Sequence, residues 1–473
     1  MSLAGGAPSE SRESTHIAVA PWFWPVAIAA LIRIPVAFYA EDQWGDAPIR
    51  LDLLQRWMAA PGIWWSFRET FQYGPLPTHV AGLLGLAGLG DMGAARTLVA
   101  VCGIAACGLL ASLAARVGGP RAGLAAGLAL AISPLHIQTS TTFASEAIYL
   151  AAALATLWAA WERRPFLCML FAFCASTTRY DAWLWLPILA LWWLTRRDET
   201  PSRRWVTAVS LGTGPASIVI ANGLALGNPL RPLEYINGDH LALVARSQAL
   251  FGVLPWRAMM VVYWPAALIG ALTPAFGVAI TWGAWRTIRS RPPALLPVVI
   301  GAIVPAVYSF RTIVLGTLWP MARFALGPVA FLAIAMPPLR ARALAACLAV
   351  GLALDASTIA LGDGKPGIGL AAAAMSPVSR LPADLRAGGQ ALRAVPGPVA
   401  LDFSPTYEDI LIAYEARMYR YRLLHPKGAA PRRVVTIAGG AWNAQLEATS
   451  RLFGHSYQRT GGVGRVSWWD LVK

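Results

Sequence analysis

Charge is what this chain has least of. Only 13% of its 473 residues are Asp, Glu, Lys or Arg against 56% hydrophobic, and lysine occurs only at Lys365, Lys427 and Lys473. Sparse charge with abundant apolar residues excludes a disordered chain. A mean hydropathy of +0.52 excludes an ordinary soluble protein. Cysteine is also scarce: Cys102, Cys107, Cys168, Cys174 and Cys347 all lie inside apolar runs. There they read as small core side chains and not as a disulfide framework or metal cluster. The net charge of +15 would suggest nucleic acid for a soluble protein. Here the basic residues are mostly arginines gathered in short runs between apolar stretches, the distribution of a membrane protein with positive loops on one side. No nucleic-acid partner is expected.

Apolar stretches long enough for a bilayer, about 20 residues each, fall at 17–39, 97–115, 122–137, 147–162, 165–178, 182–195, 205–226, 258–283, 294–310, 323–338 and 343–361. The first is followed by Glu41 and Asp42 with no small-x-small cleavage site, so it is read as an uncleaved span. The expected fold is an all-α polytopic bundle of about 11 transmembrane helices over 1–361. With a cytoplasmic amino terminus, Arg12, Arg116 and Arg121, Arg163 and Arg164, Arg196, Arg197, Arg203 and Arg204, Arg286, Arg289 and Arg291, and Arg340 and Arg342 all fall on the cytoplasmic face. Counting 76–89 as a further span would throw the later clusters outside, so that stretch reads as a re-entrant or interfacial helix.

Beyond Gly362 the apolar runs stop, and 362–473 reads as a small external α/β domain in the cell membrane's outer space. Strands are expected at Val399–Phe403, Val434–Ala438 and Val466–Val472, with helices at Tyr407–Leu424 and Trp442–Phe453. No internal repeat of the inverted-transporter kind is present.

This topology collects polar residues on the external face. The first external loop, 40–96, carries Glu41, Asp42, Asp46 and Arg50, then Gln72-Tyr73-Gly74-Pro75 and His79; long loops in compact proteins are usually functional. Glu41 and Asp42 are also explained by solvation just past a span. Asp46 opens an amphipathic stretch (Ile49, Leu53, Trp57) that fixes its depth, with Arg50 four residues on along one helical face. The second external turn runs from Ser133 through His136 and Ser140 to Ser145-Glu146. Ser145 and Glu146 would serve as a helix cap, or the polar run lines a cavity. The third is Thr177-Thr178-Arg179-Tyr180-Asp181. Ionisable residues at membrane depth face a partner or a cavity, so Arg179 is either paired with Asp181 or an anion site. Arg311 and Arg323 flank the fifth external turn, and such guanidinium groups match a phosphate. The stretch 228–240, ending in His240, is placed to contribute a lid.

The order of these motifs resembles the GT-C superfamily of membrane glycosyltransferases, in the branch of protein mannosyltransferases and the aminoarabinose transferase of lipid A. The carrying residues are the acidic first loop, Ser133-Pro134 to Ser140, Ala144-Ser145-Glu146-Ala147, Thr178-Arg179-Tyr180-Asp181 and Arg323-Phe324-Ala325-Leu326-Gly327-Pro328. The resemblance implies a sugar donor on a polyprenyl phosphate, an unidentified acceptor and a first-loop carboxylate as base. It carries that role to Asp46, with Asp42 the alternative counterpart, and donor-phosphate contacts to Arg179 and Arg323. Asp42, Arg50, His79, His136, Glu146, Tyr180, Asp181, His240 and Arg311 complete the candidate substrate-binding set. A divalent metal, present in some members, has no assigned ligands here. The competing reading is a transporter or flippase for a lipid-linked or anionic solute, which requires neither the long carboxylate-bearing loop nor an external domain.

Overall fold

The computed structural model describes residues 20–41, 46–290, 295–362, 376–378, 381–403, 408–418, 423–424, 426 and 430–472. Asp42, Arg12, Arg291 and the three lysines lie outside them. The chain runs α1 (Phe23–Tyr39), α2 (Ala47–Ala59), α3 (Phe67–Thr70), α4 (Leu76–Leu84), α5 (Gly90–Gly118), α6 (Pro120–Ala131), α7 (Pro134–Thr139), α8 (Glu146–Trp161), α9 (Pro165–Thr178) and α10 (Ala182–Thr195). It continues through α11 (Pro201–Ser210), α12 (Thr213–Leu226), α13 (Arg231–Phe251), α14 (Val253–Gly270), α15 (Pro274–Ser290), α16 (Leu295–Ser309), α17 (Leu326–Ala333) and α18 (Ala341–Gly362). Large apolar side chains such as Leu224, Val262, Trp282 and Leu352 point outward, as a bilayer solvent requires and water does not.

Among the described residues four helical stretches are long and apolar enough to cross a bilayer, or five if the bent pair α11 and α12 is one span. Others, such as α8, α9 and α10, are apolar but shorter than 18 residues. The stretch 258–283, expected as one span, is two helices. Thr273 adopts φ +67° and Pro274 cannot donate a helical hydrogen bond, so the chain turns sharply. The turn sets Gly277 so close to Ile269 that a β-carbon there would lie 2.2 Å from its carbonyl oxygen. The stretch 76–89, expected as a re-entrant or interfacial helix, belongs to the apolar helical stretch Leu76–Gly118, within which α4 gives way to a π-helical turn, Gly85–Leu89, broken at Gly88 with φ +110°.

Small residues set the packing at the centre, where no aqueous hydrophobic effect drives helices together and close backbone approach does. α5, α6 and α8 meet along Ala106, Leu110, Ala114, Ala125, Ala129 and Leu150. At Gly123 a β-carbon would stand 2.5 Å from the Ala111 carbonyl oxygen.

One polar device lies within this bundle. Arg33, inside α1 and fully buried, donates to the carbonyls of Ala131 (2.9 Å) and Leu130 (3.3 Å) at the end of α6, to Ser140 Oγ (2.8 Å) and to His136 Nδ1 (2.7 Å). It satisfies carbonyls that a helix end leaves without partners.

The carboxyl-terminal region carries a five-stranded sheet, β1 (Val399–Leu401), β2 (Arg433–Ile437), β3 (Arg451–Leu452), β4 (His455–Val463) and β5 (Val466–Leu471), in the order β1-β2-β5-β4-β3. β1 and β2 are parallel and the other pairings antiparallel. Alternating side chains split between two cores. Leu401, Val435 and Val466 meet α19 (Ala383–Arg393) and α20 (Glu408–Glu415), whereas Ala400, Val434 and Trp469 meet Leu446 of α21 (Ala441–Thr449). The helix expected to reach Phe453 stops at Thr449, where Ser450 turns left-handed at φ 52°. Of the helix expected over Tyr407–Leu424, Glu408–Glu415 is helical and Tyr407 lies outside the described residues.

Arg33→Leu should leave the Ala131 carbonyl without its side-chain donor, at roughly 1–3 kcal/mol for a buried group left unpaired. Thermal unfolding in detergent should show a clearly lower midpoint than the parent, and an unchanged midpoint would remove Arg33 from the account of bundle stability.

Candidate active site

Asp46 stands at the start of α2, held in the first loop by the burial of Leu51, Leu54 and Trp57 along that helix. Its carboxylate meets the Arg323 guanidinium at 3.3 Å and accepts from the Tyr73 hydroxyl at 3.3 Å. Arg323 belongs to a short 3-10 turn, Ala322–Ala325, just ahead of α17. The same guanidinium lies 3.6 Å from Glu146, which opens α8. Glu146 accepts in turn from Arg179 Nη1 at 2.6 Å, and Arg179 Nε donates to Asp181 at 2.7 Å. The chain ends at Tyr308 of α16, whose hydroxyl donates to Asp181. The order Tyr73, Asp46, Arg323, Glu146, Arg179, Asp181, Tyr308 thus alternates donor and acceptor and ties the first loop to α8, the α9–α10 turn, α16 and the turn before α17.

Two readings of single residues are corrected. Ser145 does not cap α8; its hydroxyl accepts from Arg179 at 3.3 Å instead. Arg50 closes no ion pair with Asp46 but lies over the Tyr73 ring, 4.4 Å from its centre. Its Nε and Nη1 make no hydrogen bond, nor does Glu146 Oε2. These are the unspent polar atoms of the site. The adjoining cleft is lined by Glu146, Tyr149, Arg179, Asp181, Arg323 and Phe324, with the Arg179 guanidinium 5.7 Å from the Phe324 ring centre.

The first loop reaches α9 by close backbone contact. At Gly74 a β-carbon would lie 2.2 Å from the Thr177 carbonyl oxygen and 2.5 Å from that of Thr178, so only glycine lets Tyr73 come beside the turn that carries Arg179. Neither Tyr73 nor Tyr308 was singled out by sequence. Tyr73 is adjacent to Gly74-Pro75 in the loop, which was the available signal; Tyr308 sits unmarked in an apolar span.

The other candidates are distributed differently. His240, on α13, packs against Phe324 and accepts the Trp319 N–H at 3.3 Å. Burial, then Arg311 and Arg323, push its imidazole down to about 4, so it is neutral at pH 7. Arg311 donates to Asn237 at 2.7 Å, which fastens α13 beside the site and does not place Arg311 in the cluster. Tyr180 packs on Trp183, 5.2 Å between ring centres. His79 and His136 do not join the cluster. His79 is wedged between Trp57 and Trp65 and bonded to the Trp64 N–H, and His136 is a partner of Arg33. In both cases an imidazole beside polar neighbours in sequence serves the scaffold.

Among the described residues no three His, Cys, Asp or Glu side chains gather to hold a metal ion. The cluster's carboxylates face guanidinium groups, so the residues present suit an anion and not a divalent cation.

No protein-family model matches the sequence, and no curated protein matches it. Solved structures do. ArnT from Cupriavidus metallidurans in the apo state superposes with a TM-score of 0.62 at 16% identity, covering 94% of this chain and 97% of that one. The same protein bound to undecaprenyl phosphate gives 0.62 at 15% identity, with the same coverage. The chain therefore shares the fold of ArnT. The Archaeoglobus fulgidus oligosaccharyltransferase, at 14% identity over 96% of this chain and 73% of its own, scores 0.47.

Burial opposes the charge on Asp46, but Arg323, Arg50 and Arg179 outweigh it and hold the carboxyl below its ordinary value. A depressed folded value means stability present at neutral pH and lost as the pH falls through it. The parent should therefore unfold at a higher temperature than Asp46→Asn at pH 7, and this gap should close as the pH is lowered beyond about 4, the ordinary carboxyl range. A gap independent of pH in thermal melts would mean that Asp46 is not charged in the folded protein.

Proposed function

We propose that this membrane protein is a glycosyltransferase that moves a sugar from a polyprenyl-phosphate donor to an acceptor on the external face, with inversion and with Asp46 as the base. The observation that carries this reading is Arg323 shared between Asp46 and Glu146, beside Arg179, within the GT-C fold. Transfer by direct displacement needs a proton acceptor at the attacking group and positive charge at the leaving phosphate, where negative charge develops. A first-loop carboxylate and two arginines on the opposite elements supply both. No covalent sugar intermediate is needed, hence inversion.

The arginines that hold Asp46 ionised also make it a weak base. A phosphate oxygen that accepts from Arg323 competes with Asp46 for the same donors, and a carboxylate left with less positive charge around it is more basic. Donor binding would thereby prepare the base. ArnT, which shares the fold, is known bound to undecaprenyl phosphate, and that ligand's single phosphate is the group two adjacent guanidiniums would accept. A transporter or flippase, the alternative reading, does not require a long carboxylate-bearing first loop.

Asp46→Asn keeps the side chain's shape and removes the proton acceptor. In the purified protein, donor binding should survive while transfer falls by about 100-fold or more, the usual share of a positioned base. Full activity at saturating donor would exclude the role, and collapse of Asp42→Asn alone would move it to that residue. Arg179→Ala should instead raise the donor concentration needed for half-maximal rate, because a phosphate partner is lost. Failure of that variant to insert would identify Arg179 as a structural ion-pair residue.

The proposed sidedness has a cytoplasmic amino terminus and an external module over 362–473. Protease added to spheroplasts should cleave that module, and protection would place Asp46, Glu146 and Arg179 on the opposite face.

A further inference from the structure

Glu41 lies just beyond α1 and five residues before Asp46. Both of its carboxylate oxygens accept from Arg386 Nη2 at 2.8 Å, and one also accepts from the backbone N–H of Leu381. Arg386 is on α19, whose Leu385 and Leu392 are buried with Val435 and Val466 of the sheet. On the other side of Asp46, α2 packs against α20 of the same region. Glu41 before Asp46 and α2 after it are therefore both in contact with the carboxyl-terminal region.

We propose that the carboxyl-terminal α/β region is a positioning element for Asp46, with Glu41 and Arg386 as the positioning pair; this rests on the reading of Asp46 as the base. Glu41 and Arg386 are 29% and 41% exposed, and a solvent-screened pair of this kind adds little to stability. Its effect is geometric. Arg386 sits on a helix fixed by a packed core, and its Nη2 meets both carboxylate oxygens of Glu41, so that core fixes the position of Glu41. Displacement of a reacting group by about 1 Å costs on the order of 100-fold in rate. Neither residue touches the cleft, so neither contributes to binding the donor phosphate.

Charge reversal tests the pair in the full-length protein in lipid nanodiscs. Glu41→Arg and Arg386→Glu should each lower kcat by about tenfold, with donor KM and polyprenyl-phosphate affinity within about twofold of the parent. The double swap should recover most of the loss, as coupled neighbours do. The proposal is overturned if both single variants keep kcat within about twofold, or if the double variant loses as much as the two singles combined. Should the reversals express poorly, Glu41→Gln and Arg386→Gln carry the same test. A kcat lowered at least about threefold with KM unchanged supports the pair, and parent-like kcat in both overturns it. Asp46→Asn, measured in parallel, separates the two claims. Parent-like activity there sinks the base, whereas an inactive Asp46→Asn beside uncoupled Glu41 and Arg386 variants sinks only the clamp.

Discussion

Ionisable groups packed in a membrane protein have to neutralise one another, and the site is organised by that demand. Arg179 is nine-tenths buried and Glu146 more so, yet no two like charges are direct partners. Arg179 and Arg323 each lie between two carboxylates, and each of Asp46, Glu146 and Asp181 receives at least one N–H or O–H. Removing a single member leaves an uncompensated buried charge. Because the partners come from the first loop, α8, the α9–α10 turn and the turn before α17, electrostatic closure is also what fixes these elements relative to one another.

The balance has a chemical reading. Arg50, Arg179 and Arg323 face Asp46, Glu146 and Asp181, so the cluster is neutral before any ligand enters. Arg50 nonetheless keeps two nitrogens without hydrogen bonds while its cation rests on the Tyr73 ring, a contact that partly offsets desolvation. An arriving anion finds one guanidinium with spare donors and two that must be drawn from carboxylates. On the proposed reading of Asp46 as the base, anion affinity and base strength are coupled through the same side chains.

Much of this was visible in the sequence because charge is rare in it. Asp46, Glu146, Arg179, Asp181 and Arg323 stand out as ionisable residues bordering apolar runs, where they are costly without a use. Histidine misled, since His136 amid hydroxyl residues suggests a polar cavity, and its true partner, Arg33, is 103 positions away. The single span over 258–283 was an artefact of averaging hydrophobicity across Thr273-Pro274, where the backbone breaks without any fall in apolarity. β4 escaped notice because His455–Val463 is mostly exposed and lacks alternation. Glu41 was ambiguous for the same reason that surface carboxylates usually are: nothing local announces that Arg386 will reach it.

The staple formed by Arg33 bears on how the chain is made. α1 is an apolar helix of 17 residues, and an arginine at the centre of a membrane helix costs about 2.5–3.5 kcal/mol. The α6 carbonyls that receive its guanidinium lie 98 residues downstream, a wait of roughly 5–20 s at ordinary synthesis rates. The final partners of Arg33 therefore exist only once α6 lies beside α1.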